Sequence, residues 1–329
     1  MRKNLMPLAL ALGLALPNAA LAGPPVTAAV GAGWGMADTL PKVRVSYPGG
    51  VVAIPDITYA VLPGYRPLTL DIYMKAGASK RPLLVYIHGG GWAMGTSRQL
   101  AAFADFPAVL ADMAARGYAV AAVNYRLKAE ATYPAQAQDV DSALRWLRAH
   151  AADYGIDPTR VGVFGDSAGG HLAAMAAVDC DRSVPLEKGD CVQASVPWYG
   201  IYDFTVTDRP RPPEDFKPIH DFLGCKDAAS CTEQIKAVGP INYVDAKDPP
   251  MLLLHGQVDA AVPVIQARVM LERLRAAGVS ARLVEYPGAN HGWMSATPEA
   301  TRDTHLKALQ ATLDFFDAVL GNAATPEGH

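Results

Sequence analysis

Ser167 stands in Gly165-Asp166-Ser167-Ala168-Gly169, a G-x-S-x-G pattern directly after the apolar run 161–164 and ahead of an alanine-rich helical stretch, 171–178. The bare pattern is weak, but strand, sharp turn and helix around it form the setting that thrusts a serine out above a sheet edge. The helix that follows adds its positive N-terminal end beneath the hydroxyl. A serine hydroxyl alone is a poor nucleophile at neutral pH, so this reading requires a base and an anion site. His291, in Pro287-Gly288-Ala289-Asn290-His291-Gly292 after the run 283–286, is the candidate general base. Asp259, in His255-Gly256-Gln257-Val258-Asp259 after the run 251–254, is the candidate acid that orients the imidazole.

For the anion site, His88-Gly89-Gly90-Gly91-Trp92 follows the run 83–87, and three consecutive glycines leave backbone N–H groups unobstructed. With the N–H of Ala168 they would hold the oxygen of a tetrahedral intermediate, worth about 3–4 kcal/mol per donor. A flexible glycine hinge is the alternative. Together these residues predict acyl transfer in two steps through an acyl-enzyme. Trp92, Trp198, Tyr199 and Trp293 flank the motifs and are candidates for a substrate-binding aromatic wall, core packing being their competing use. Among rival acids, Asp203 competes most closely because it follows the segment 194–198; Asp208 follows the same segment, and Asp248 precedes its strand. His255 reads as a strand-end cap and His171 as part of the helix after the nucleophile, while His150, His220, His305 and His329 carry no such context.

These loops need strands to leave from. The runs 83–87, 118–123, 161–164, 251–254 and 283–286 are short and apolar, as expected of strands buried on both faces of a parallel sheet. Helical periodicity separates them: Ala137, Val140, Leu144 and Leu147 share one face, as do Val264, Ala267, Leu271 and Leu274, the latter between Pro263 and Gly278. Alternation of this kind predicts an α/β doubly wound sheet with the site at the carboxyl ends of its strands. Residues 57–59 and 68–73, separated by Pro63-Gly64, read as an antiparallel hairpin at the sheet edge. The stretch 204–250 is rich in Pro, Asp and Lys without long periodicity, and reads as an insertion forming a lid or substrate wall.

Half of the 329 residues are hydrophobic, enough for one large core. Lys+Arg 29 against Asp+Glu 32 gives a net charge of −3 with no basic run, which argues against nucleic acid as a partner. Arg2 and Lys3, the short apolar run 8–16 and Ala20-Leu21-Ala22 have the form of a signal peptide over 1–22. The apolar run is shorter than the roughly 20 residues of a membrane span, so the mature chain is expected to be secreted or periplasmic without an integral membrane segment. The remaining plan is an N-terminal extension over 23–56, a catalytic domain over 57–320 and a disordered tail over 321–329. Export favours disulfides for Cys180, Cys191, Cys225 and Cys231. Of three connectivities, local pairing (Cys180 with Cys191, Cys225 with Cys231) needs least rearrangement, each bridge contributing about 2–3 kcal/mol. A zinc site is the rival, and the close C-x-x-C and H-E-x-x-H spacings it would use are absent.

H-G-G-G-W, G-D-S-A-G-G-H, H-G-x-x-D-x-x-V-P and the late N-H-G-W resemble the motifs of hormone-sensitive-lipase-like carboxylesterases, in detail those of the bacterial feruloyl and acetylxylan esterase subgroup. The resemblance spans about residues 57–320. It implies an α/β-hydrolase fold with chain order Ser, Asp, His, and a metal-independent, cofactor-free carboxylic ester hydrolase acting on small-molecule or polysaccharide-linked esters. It further implies Gly90, Gly91 and Ala168 as oxyanion donors and a structural role for His88. The insertion matches no motif of that family, which leaves the natural ester open. A formamidase of the same fold and a non-catalytic binding module are the competing readings.

Overall fold

In the computed structural model the described residues are 43–77, 80–100, 103–206, 217–227 and 230–321. The expected signal peptide, the first part of the expected extension and the tail beyond residue 321 lie outside them, as does Asp208. Among the described residues no helix is long and apolar enough to cross a membrane.

The strands and helices follow one another as β1 (Val45–Tyr47), β2 (Val51–Ala60), β3 (Leu68–Lys75), β4 (Arg81–Ile87), α1 (Phe106–Ala115), β5 (Ala119–Val123), α2 (Ala135–Ala149), α3 (Ala151–Tyr154), β6 (Ile156–Asp166), α4 (Ala168–Val178) and β7 (Ala194–Trp198). They continue with α5 (Lys217–Leu223), α6 (Thr232–Val238), β8 (Met251–Gly256), α7 (Ile265–Ala276), β9 (Ala281–Tyr286) and α8 (Pro298–Leu320). The strands form one nine-stranded sheet in the order β1-β2-β3-β5-β4-β6-β7-β8-β9. From β5 to β9 neighbours pair in parallel, whereas β1, β2 and β3 are antiparallel additions at one edge.

Because side chains alternate across a strand, each central strand feeds two cores. Leu83, Val85 and Ile87 of β4 join Val140 and Leu144 of α2, Leu172 of α4 and Met270 of α7 on one face. Leu84 and Tyr86 join Phe106 and Leu110 of α1 and Phe316 and Leu320 of α8 on the other. Burial on both faces explains why these strands read as unbroken apolar runs. This two-faced, mostly parallel arrangement is the α/β-hydrolase fold. The connection leaving β4 runs to β5 on one side and that leaving β6 runs to β7 on the other. The gap between the carboxyl ends of β4 and β6 is therefore the topological switch point, where open α/β sheets bind ligands.

The sheet differs from expectation at its antiparallel end. The hairpin of β2 and β3 is present, but β1 pairs outside it with Val45 opposite Ala53, so the hairpin is not the edge and strand pairing begins inside the stretch assigned to an extension. Among its described residues the insertion contains two α-helices of 7 residues each, α5 and α6, too short to show periodicity in sequence. Both locally paired disulfides are formed: Cys180–Cys191 closes the connection between α4 and β7, and Cys225–Cys231 links α5 to α6.

Candidate active site

β6 ends in a turn that only small neighbours allow. Ser167 adopts φ 52 and ψ −115, a sparsely populated region that costs on the order of 1–3 kcal/mol and is found where surrounding structure holds it in place. Here the Ser167 N–H donates to the Trp198 carbonyl at 2.9 Å, stitching the turn to the end of β7. Gly165 and Gly169 serve close approach rather than left-handed backbone: a Cβ on Gly169 would lie 1.9 Å from the Ile87 carbonyl oxygen, and one on Gly165 2.4 Å from it. Their absence of side chains lets α4 press against the end of β4.

The Ser167 hydroxyl faces His291 Nε2 at 2.9 Å, and His291 Nδ1 donates to Asp259 Oδ2 at 2.8 Å. These partners fix the imidazole tautomer, Nδ1 protonated and Nε2 free to accept the serine proton. Asp259 is 5% exposed, and its second oxygen accepts the N–H groups of Ala261 and Val262 at 2.9 and 2.8 Å. The two loops are joined by Asn290, whose Oδ1 accepts from the backbone of His291 at 2.7 Å and of Ala260 at 2.8 Å. Of the rival acids, Asp203 accepts from the backbone and hydroxyl of Thr205, and Asp248 pairs with Arg182. His255 is buried within β8, donates from Nε2 to the Val262 carbonyl at 2.8 Å, and lies 3.6 Å from Asp259 Oδ2. Its burial lowers its pKa and keeps it neutral.

The glycine loop after β4 is clamped peptide by peptide. His88, stacked on Tyr125 and held near pKa 4 by burial, donates from Nδ1 to the Gly89 carbonyl at 2.7 Å. The N–H of a trans peptide points opposite to its C=O, so this bond aims the Gly90 N–H away from His88. The Gly90 carbonyl accepts from Ala93 and Met94, which orients the Gly91 N–H in the same manner. Gly90 and Gly91 have φ of 105 and 60, values that favour glycine. Among the described residues nothing accepts from the N–H groups of Gly90, Gly91 or Ala168. Such an array of oriented donors near the Ser167 turn could hold a developing oxyanion.

The four aromatic candidates are placed differently from a substrate wall. Trp198 and Trp293 are fully buried in the core under α1 and α8, and the Trp198 indole N–H donates to the Thr312 hydroxyl. Trp92 is buried as well, stacked at 4.1 Å on Phe222 of the insertion and edge-on to His171. Tyr199 is 1% exposed and packs its ring edge-on to the His291 imidazole, centroids 4.8 Å apart. These side chains support the site from beneath. Two cavities lie near the acid and histidine turns. One of about 90 Å³ lies beside Ala261 and Val262, with Phe204 and Ile219 of the insertion in its wall. One of about 680 Å³ lies between α1 and α8, bounded by Phe103, Met294, Pro298 and Leu306. Met294 is hydrogen-bonded to Asn290 and His291 in the histidine turn.

The sequence reading missed Asp166 and the Tyr86 hydroxyl that it holds. Asp166, next to Ser167, is 7% exposed and accepts from Tyr86 Oη and Gly89 N, each at 2.8 Å. Burial raises its pKa to about 6, against the opposing pull of those two hydrogen bonds. Its one sequence signal is the charge inside G-x-S-x-G; the partner Gly89 is 77 positions away and invisible to spacing.

The chain is similar to several known esterases. Esterase LipQ of Mycobacterium tuberculosis is 33% identical over 81% of this chain, and the match spans 62% of that relative. A carbohydrate esterase from gut microbiota, solved in truncated form, superposes with a TM-score of 0.69 at 28% identity, covering 86% of this chain and 99% of that one. Esterase Est2 of Thermogutta terrifontis superposes with a TM-score of 0.67 at 28% identity, covering 86% and 96%. The family model BD-FAE matches residues 70–274, from within β3 to within α7, and the chain therefore belongs to the BD-FAE family.

Proposed function

We propose that this chain is a serine carboxylesterase that hydrolyses carboxylic esters through an acyl-enzyme on Ser167. The observation that carries the reading is the continuous hydrogen-bond chain from the Ser167 hydroxyl through His291 to Asp259, 2.9 and 2.8 Å long. In the first step His291 Nε2 takes the serine proton as Oγ attacks the ester carbonyl. The carbonyl oxygen becomes an oxyanion held by the N–H groups of Gly90, Gly91 and Ala168, and Asp259 stabilises the imidazolium. Imidazolium then protonates the leaving alcohol; water repeats the sequence on the acyl-enzyme and frees the acid.

The substrates we propose are acetyl or feruloyl esters of plant polysaccharides. Membership of the BD-FAE family and the likeness to a carbohydrate esterase support that class. The insertion is proposed to wall the site, since Phe222 stacks on Trp92 next to the glycine loop. The signal-peptide pattern and the two disulfides support secretion or periplasmic residence. The test is a panel of p-nitrophenyl, acetyl-sugar and feruloyl esters together with N-formylkynurenine, run with wild type and Ser167→Ala. Ester turnover in chelator, lost by several orders of magnitude in Ser167→Ala, is the expected result. Faster turnover of the formamide than of any ester would replace this reading by the amide hydrolase.

A further inference from the structure

Resting on the esterase reading above, the structure assigns Asp166 a role of its own: it is a positioning residue whose buried carboxylate locks the oxyanion loop to the nucleophile turn. The reasoning begins with connectivity. Ser167 and Ala168 ride on the end of β6, whereas Gly90 and Gly91 ride on the end of β4, and the relative placement of these two strand ends decides whether three N–H groups converge on one oxygen. Backbone pairing of β4 with β6 stops at Ile87 opposite Gly165, so the ladder no longer holds the loop where the donors begin.

Asp166 takes over at that point. Its Oδ1 accepts from the backbone N–H of Gly89 at 2.8 Å, immediately before the first donor. The same oxygen accepts from Tyr86 Oη at 2.8 Å, and that hydroxyl also lies 3.0 Å from the Gln99 carbonyl farther along the loop. Gly89 lies so close over the carboxylate that a Cβ there would be 2.3 Å from Oδ2. The far side of the Gly89 peptide is held by His88, so with Asp166 on its N–H and His88 on its carbonyl the residue is gripped from both ends. An oxyanion donor is effective only when preorganised to about hydrogen-bond accuracy, and one donor lost or misplaced costs about 10²–10³ in kcat. Nothing in this role requires the carboxylate to touch substrate.

The experiment compares Asp166→Ala, Asp166→Asn, Tyr86→Phe and the double variant Tyr86→Phe/Asp166→Ala. Each is titrated for active sites with a fluorophosphonate so that turnover refers to folded enzyme. Loss of the anchor in Asp166→Ala should lower kcat for p-nitrophenyl acetate by about 10² with KM within about threefold. It should weaken a trifluoromethyl ketone, whose Ser167 adduct places an oxyanion in the same site, by the same factor. Asp166→Asn, which keeps an acceptor oxygen, should retain most of kcat. Tyr86→Phe should cost several-fold alone and nothing further in the Asp166→Ala background, since the hydroxyl then has no carboxylate to hold. Unchanged kcat and ketone affinity in Asp166→Ala would overturn the assignment, as would loss in Asp166→Asn equal to that in Asp166→Ala, which would make charge rather than anchoring the cause. Independent, additive effects of Tyr86→Phe and Asp166→Ala would overturn it as well. If Asp166→Ala does not fold, Tyr86→Phe decides alone: a fall in kcat matched by weaker ketone binding supports the anchor, and no change in either refutes it. A wild-type chain without esterase activity or fluorophosphonate labelling at Ser167 would instead sink the esterase reading, and this inference with it.

Discussion

Replacing Asp259 by its amide is a sharp perturbation because the surroundings dictate how the amide must sit. One carboxylate oxygen of Asp259 accepts from Ala261 N and Val262 N at 2.9 and 2.8 Å, and both donors will hold the amide oxygen of Asp259→Asn in that place. The amide nitrogen is thereby forced to the position of Oδ2, where it faces His291 Nδ1 across 2.8 Å. Two donors cannot share that line, so the imidazole shifts its proton to Nε2, the atom 2.9 Å from Ser167 Oγ. A protonated Nε2 cannot receive the serine proton. In the triad from which the rule is taken this tautomer error lowers kcat by about 10⁴, which corresponds to roughly 5.5 kcal/mol of transition-state stabilisation. The assay is p-nitrophenyl acetate hydrolysis at neutral pH, with thermal unfolding confirming that the variant remains folded. Asp203→Asn is the control: among the described residues its carboxylate serves the turn at Thr205, and its loss should change kcat by less than about threefold. Turnover of Asp259→Asn above a tenth of wild type, or a larger loss in Asp203→Asn, would refute the reasoning.

Two further outcomes follow from packing and charge. Gly169→Ala should destabilise the fold by about 3 kcal/mol or more, because the new methyl meets the Ile87 carbonyl at 1.9 Å, whereas Gly91→Ala has open space around it and pays only about 1 kcal/mol of backbone strain; urea unfolding of the two variants reads the difference. Asp141 lies near Asp190 and Asp179, and burial, reinforced by those charges and partly offset by Arg145, raises its pKa from 3.8 to about 7. Between those values the folded chain holds a proton that the unfolded chain has released, so this residue's contribution to stability declines as pH rises through the window. Asp141→Asn should therefore exceed wild type by about 2 kcal/mol at pH 8, about half the full linkage value to allow for residual hydration, and match it near pH 4. Equal stability at both pH values would contradict the raised pKa.

How much of this was legible in sequence depends on whether a residue's partners are local. The buried parallel strands announced themselves as apolar runs, and the triad residues each follow such a run by a few positions, so topology alone brings them together. Short range also made the disulfides readable: the paired cysteines are separated by 11 and 6 positions. β1 was missed because its three residues, two exposed and one partly buried, carry no alternation, and α5 and α6 because seven residues hold barely two turns. The aromatics misled for a different reason. Trp198 and Trp293 flank the motifs in sequence, yet strand alternation turns Trp198 into the core under α8, and Trp293 packs beside it. The clamp of Asp166 on Gly89 depends on two strands that become neighbours only in the folded sheet.

The central claim, that ester hydrolysis passes through a covalent intermediate on Ser167, is tested most directly by trapping that intermediate. Wild-type protein quenched in acid during p-nitrophenyl acetate turnover would be digested and its peptides examined by mass spectrometry. An acetyl group on the peptide bearing Ser167, absent from Ser167→Ala treated alike, is the predicted result. Continued turnover by Ser167→Ala with the acetyl group on another side chain, or on none, would contradict it.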